Sequence, residues 1–134
     1  MIAQKLPIVL IADAERSNIE KLRVILGERR YHLISATSGR GVMRLIREQE
    51  VDVAIIDTKL TDIQGHKLVP IIKDMNPGIR VIVTTGEHSD GMEEEVRRVG
   101  VVFYAIKPHE YPMIKDAVRT AVLSRQREKL MGWF

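Results

Sequence analysis

Residues 51–60 read VDVAIIDTKL. Val51, Val53, Ala54, Ile55 and Ile56 make a short apolar run rich in β-branched side chains, the composition of a strand buried on both faces. The run closes on a carboxylate, Asp57, followed by the polar Thr58 and Lys59. Burial accounts for the run but not for an acid at its end, so Asp57 is the first candidate for chemistry.

Four further runs have the same character, at 8–12, 33–36, 81–84 and 102–106. Between them lie helical patterns. Ile19, Leu22, Ile25 and Leu26 share one helical face, as do Val42, Leu45 and Ile46. Leu68, Ile71, Ile72 and Met75 follow the next, Met92, Val96 and Val99 a shorter one, and Tyr111, Ile114, Val118, Ala121 and Val122 the last. Punctuation agrees: Ser17 is placed to cap the first helix, Gly27 lies near its end, Asn76-Pro77-Gly78 stops the third and Gly100 closes the fourth. Pro70 removes a backbone donor within the third pattern and predicts a kink or a delayed start. Strand and helix alternating five times predict an α/β domain, a doubly wound five-stranded parallel sheet with five helices.

The 134 residues suit one domain, and 45% hydrophobic composition supplies a core without staples. With no cysteine, a disulfide framework, a thiolate nucleophile and a zinc-thiolate site are excluded. The N-terminus MIAQKLPIVLIADAE runs into acids without a cleavage site, and no segment approaches the roughly 20 apolar residues of a membrane span. A cytoplasmic protein without a membrane partner is expected. The balance of 21 Lys+Arg against 18 Asp+Glu gives +3, with the cations scattered among acids, so no direct nucleic-acid footprint is expected either.

In such sheets ligands bind outside the carboxyl ends of the strands. The first strand is followed there by Asp13, Ala14 and Glu15, the third by Asp57, the fourth by Thr84, Thr85 and Gly86, and the fifth by Lys107-Pro108. Two acids, a hydroxyl and an ammonium therefore converge on one edge. Asp57 is expected to be held rigidly there while facing solvent. Other motifs are weaker. Gly39-Arg40-Gly41 has Arg44 where a dinucleotide loop needs its third glycine, so it reads as a helix start. His32, His66, His88 and His109 share no metal-ligand spacing and read as surface or capping residues. No Ser-His-Asp triad or Gly-Lys-Ser/Thr phosphate loop is present.

Taken in order, Asp13, Asp57 with Gly65 downstream, Thr85-Gly86, Tyr104 and Lys107-Pro108 resemble the receiver domains of bacterial two-component response regulators, which include the single-domain chemotaxis regulators. The likeness runs from about Ile8 to about Val122. It implies the flavodoxin-like strand order 2-1-3-4-5 and a phosphorelay function, with Asp57 accepting a phosphoryl group from a sensor histidine kinase or phosphotransfer protein. It further implies magnesium held by Asp13, Asp57 and the Lys59 carbonyl, with Lys107, Thr85 and the Gly86 backbone on the phosphoryl oxygens. Thr85 and Tyr104 would be the switch, Tyr104 moving inward. The chain would be no enzyme beyond taking up and losing its own phosphoryl group.

Three features qualify the likeness. The family pattern has two adjacent acids after the first strand, and here the second is Ala14, so magnesium is expected to bind weakly; Glu15 points elsewhere and does not substitute. Lys59 and Glu87 occupy positions that tune phosphoryl lifetime in the family, and a contact between them would shield the site. Thr61 stands where the family commonly has Pro. Ala14 also motivates an alternative, a pseudo-receiver acting as a phosphorylation-independent protein-interaction module. Residues 1–124 are expected to form the receiver and 125–134 an extended C-terminal helix or tail ending in Trp133 and Phe134, with an unknown output protein and a homodimer through the fourth and fifth helices as possible partners.

Overall fold

A computed structural model describes residues 5–132. Five strands alternate with five α-helices: β1 (Ile8–Ala12), α1 (Arg16–Leu26), β2 (His32–Ala36), α2 (Gly39–Glu48), β3 (Val53–Asp57), α3 (Val69–Met75), β4 (Arg80–Thr85), α4 (Asp90–Arg98), β5 (Phe103–Ile106) and α5 (Tyr111–Met131). The strands form one parallel sheet in the order β2-β1-β3-β4-β5. This is the flavodoxin-like arrangement. Trp133 and Phe134, and any structure they add to the tail, lie outside the described residues.

Alternation along the strands splits the core in two. Val9, Ile11, Val53, Ile55, Ile82 and Ala105 pack against Leu22 and Leu26 of α1 and Ile114 and Val118 of α5. Their neighbours Leu10, Ala54, Ile56, Val81, Val83 and Tyr104 face Val42 and Ile46 of α2, Ile72 of α3 and Val96 of α4. Because both faces of β1 and β3 are covered, those strands read as continuous apolar runs.

Local chemistry sets the helix ends. Ser38 caps α2 by accepting from the Gly41 N–H at 3.0 Å, and Ser89 caps α4 through Met92 N–H at 3.1 Å. The cap expected of Ser17 is not made, since α1 begins at Arg16 and Ser17 lies inside its first turn. Asp13 organises that end instead, accepting from Glu15 N–H at 2.9 Å and from Asn18 Nδ2 at 3.3 Å. Pro70 delays α3: a 3₁₀ turn covers Gly65–Leu68, and the α-helix starts at Val69 with the proline in its first turn.

At 21 residues α5 is about 31 Å long, well beyond the roughly 13–20 Å reach of the strands. Its overhang is fastened back. Arg80 Nη2 donates to Ser124 Oγ at 3.0 Å and pairs with Glu128 at 3.2 Å, while Lys129 pairs with the buried Asp52. The expected boundary after residue 124 thus falls inside a continuous helix. No helix among the described residues is long and apolar enough to cross a membrane.

Candidate functional site

Strand parity selects which side chains meet. Asp57 continues the series Val53, Ile55, and Thr84 continues Ile82, both on the α1/α5 side. Asp57 and Thr84 are register partners across β3 and β4. Asp13 follows Val9 and Ile11 by two-residue steps, and Lys107 follows Ala105. Thr85 belongs to the opposite series, with Val83, on the side of Tyr104 and α4.

The four groups on the first side are bonded to one another. Lys107 Nζ lies 3.0 Å from Asp13 Oδ2 and 2.9 Å from Asp57 Oδ1. Thr84 Oγ1 donates to Asp57 Oδ1 at 2.7 Å, and Lys59 N–H donates to Asp57 Oδ2 at 3.0 Å. Asp57 is 2% exposed and Asp13 3%, so the expected solvent-facing acid is buried, closed over by the lysine stem and neighbouring strands. Gly65 permits this approach: a Cβ there would lie 1.9 Å from the Asp57 carbonyl oxygen, while Gly65 N–H donates to Thr58 O at 2.9 Å.

Two acids share one ammonium, which leaves one negative charge uncompensated. Burial pushes the Asp57 carboxyl above its usual value; the bonds from Lys107 and Thr84 oppose this, and the charge of Asp13 adds to it. Burial works to lower Lys107, but Asp57 and Asp13 together outweigh it and hold its ammonium above the ordinary lysine value. An excess negative charge among hard oxygens suits a divalent cation. Asp13, Asp57 and the Lys59 carbonyl, which accepts from Ala14 N–H at 3.2 Å, supply a three-oxygen set of the chemistry magnesium takes, with water for the rest. It is a thin set: among the described residues no cluster of three or more His, Cys, Asp or Glu side chains could hold a metal.

The remaining expected residues are distributed around this centre. Thr85 does not touch Asp57. Fully buried, its hydroxyl accepts from Thr58 Oγ1 at 2.9 Å and from Glu87 N–H at 3.1 Å. Gly86 is exposed beside Lys107, whose Cε would lie 3.7 Å from a Cβ there. The Lys59 side chain points to the exterior, and although it lines a shallow groove with Glu87, Met92 and Gln64, the two form no ion pair. The expected shield is therefore absent from this conformation. Tyr104 is already inside, at 4% exposure, with its hydroxyl 3.0 Å from His88 Nδ1.

Several participants were not legible as such in the sequence. Thr84 and Thr58 are two of them. Asp62 is another, accepting from Gly39 N–H at 2.7 Å and Arg40 N–H at 3.3 Å and so tying the loop after β3 to the start of α2. His66, expected on the surface, is 1% exposed and pairs through Nε2 with Glu95 of α4 at 3.2 Å. It enters the interior because the 3₁₀ turn after Gly65 faces α4. Tyr111 opens α5 beside the acids, and burial pushes its hydroxyl up to about 12.

Comparison with known proteins agrees with this geometry. Residues 9–119 match the family model described as the response regulator receiver domain. The transcriptional regulatory protein ZraR of Escherichia coli is 27% identical over 114 residues, covering 85% of this chain and 26% of its own length. The chain thus spans about a quarter of that regulator. A CheY-like receiver domain protein from Methanospirillum hungatei superposes with a TM-score of 0.84 at 22% identity, covering 92% of this chain and 99% of that one. A response regulator from Burkholderia pseudomallei, solved with a phosphorylated aspartic acid, calcium ion and citrate, superposes with 0.77 at 22% identity over 94% and 74%. A bonded Asp-Asp-Lys cluster at the carboxyl edge of a 2-1-3-4-5 sheet, inside a family match over most of the chain, assigns this protein to the response regulator receiver domains.

Proposed function

We propose that Asp57 is the phosphoryl acceptor of this receiver domain, taking the group from the phosphohistidine of a sensor histidine kinase or phosphotransfer protein. The single observation that carries the reading is the shared ammonium: Lys107 binds Asp13 and Asp57 at once, within 3.0 Å of each. A carboxylate oxygen attacks phosphorus in line as the phosphorus–nitrogen bond breaks, and the imidazole leaves with the electron pair and takes a proton from solvent. Lys107 is placed to follow the charge onto the phosphoryl oxygens. Thr85 and the Gly86 N–H supply donors once Thr85 leaves Thr58. Asp13, Asp57 and the Lys59 carbonyl would hold magnesium, weakly because Ala14 provides no second acid; when bound, it adds positive charge against the same oxygens.

Movement of Thr85 toward the acceptor vacates space on the side of Tyr104 and α4, so the output is a changed surface around α4, β5 and α5 read by a partner protein. Self-association through that face, with the α5 extension contributing, belongs to the same proposal, as does a cytoplasmic location. The only reactions proposed for the chain are uptake and loss of its own phosphoryl group. A phosphorylation-independent module would rest on Ala14 alone, whereas Asp13, Asp57 and Lys107 remain in bonded contact, which supports the phosphorelay reading. The test is transfer of labelled phosphoryl from a phosphorylated histidine kinase or phosphotransfer domain: acid-stable, base-labile label on the wild type and none on Asp57→Asn is expected, and equal labelling of both would refute it.

A further inference from the structure

The doublet Thr84-Thr85 sends its two hydroxyls to opposite sides of the sheet, and only the first meets the acceptor. Thr84 is 2% exposed, and its donation to Asp57 Oδ1 at 2.7 Å has the short length of a bond to a charged acceptor. The contact follows from the β3–β4 register, which sets the two residues side by side on one face. Lys107 cannot orient the carboxylate alone, because its ammonium is shared with Asp13. The terminal torsion of an aspartate is broad and nearly two-fold, so a lone ion pair leaves the carboxylate plane loosely set.

Counting donors separates the two oxygens. Oδ1 takes the Thr84 hydroxyl and the Lys107 ammonium; Oδ2 takes only the Lys59 N–H. A carboxylate oxygen accepts about two hydrogen bonds, so Oδ2 is the oxygen with acceptor capacity to spare. Resting on the reading of Asp57 as the acceptor, we infer that Thr84 is a positioning residue for phosphoryl transfer, pinning Oδ1 so that Oδ2 is the attacking atom. In the step, an electron pair of Oδ2 forms the new bond to phosphorus while the donor's phosphorus–oxygen or phosphorus–nitrogen bond breaks and its leaving group departs with those electrons.

The full chain is incubated with acetyl phosphate, and the rate of phosphoprotein formation is followed by intact mass. Thr84→Val keeps the shape and removes the donor, and its rate falls about tenfold or more. Thr84→Ser restores the hydroxyl and most of the rate, which a purely structural role would not require, and urea midpoints confirm that both variants are folded. In a crystal of the wild type with beryllofluoride, beryllium is bonded to Oδ2 and Thr84 still donates to Oδ1. A wild-type rate in Thr84→Val, a Ser variant as slow as Val, or beryllium on Oδ1 overturns the inference while leaving Asp57 the acceptor. A wild type that takes no phosphoryl group on Asp57 overturns both.

Discussion

Thr58 and Thr85 join their hydroxyls at 2.9 Å in the interior, so the residue that the family likeness marks as the switch is tied down before any phosphoryl group arrives. Both belong to the buried set, and the other bond of Thr85 is to the Glu87 N–H. In the proposed switch Thr85 gives up this bond as it moves toward the acceptor, so the bond biases the equilibrium against activation. A hydrogen bond of this kind is worth about 0.5–1.5 kcal/mol net. Thr58→Val should therefore bind beryllofluoride about two- to tenfold more tightly than the wild type, as measured by calorimetric titration. An unchanged or weaker affinity would mean that Thr58 does not restrain the switch.

Ala14 predicts the metal dependence. Its side chain offers no oxygen, and the acids nearby already share Lys107. Ala14→Asp adds a hard ligand or an outer acceptor beside Asp13 and should lower the magnesium dissociation constant by about tenfold or more. Stripping magnesium with a chelator should slow phosphorylation of the variant more than that of the wild type. Equal magnesium titrations for the two proteins would contradict this.

Acid should weaken the fold through two exposed carboxylates. The N–H groups of Gly39 and Arg40 hold the Asp62 carboxyl below its ordinary value, and the Arg80 guanidinium does the same for Glu128. For groups whose folded values are depressed, the stabilisation is present above the unfolded carboxylate values of about 4 and is lost as pH falls through the lower folded ones. The urea midpoint should thus decline below about pH 5. In Asp62→Asn/Glu128→Gln the decline should be shallower, the variant being less stable at pH 7 and approaching the wild type at low pH. Parallel curves would refute the assignment.

The overhang of α5 gives a second stability test. Asp52 is 6% exposed and receives the Ile8 N–H at 2.9 Å as well as Lys129. Lys129→Ala should cost about 1–2 kcal/mol in urea unfolding, because it leaves a charged acceptor short of a donor. Leu130→Ala, at a site 75% exposed, should cost almost nothing. Equal effects would mean that the overhang is not anchored. Sedimentation of the full chain against one ending at Leu130 tests the proposed self-association: a dimer only in the full chain supports it, and monomers in both exclude it.

What could be read from the sequence follows the range of the forces involved. The run at 53–56 and its four counterparts carry their burial in their own composition, so the α/β alternation was visible, and parity then divides the core without further information. Register was not visible. Whether Thr84 or Thr85 stands beside Asp57 depends on the pairing of Asp57 with Thr84 across two strands, which neither strand encodes alone. The burial of Asp57 escaped for a similar reason, since its cover comes from Lys107, far along the chain. His66 lies between Gly65 and Lys67, just before the apolar pattern that starts at Leu68, and it meets Glu95 on α4, a contact 29 residues along the chain that its own neighbours do not encode. Ser17 had a capping side chain, but Asp13, one residue past β1, reached the helix start first.

Asp57 is expected to take up a phosphoryl group in the pocket it shares with Asp13 and Lys107. Intact mass spectrometry after incubation with acetyl phosphate and magnesium measures this uptake. The wild type should gain one phosphoryl group and Asp57→Asn none. No gain on the wild type at any magnesium concentration, or the same gain on Asp57→Asn, would contradict it.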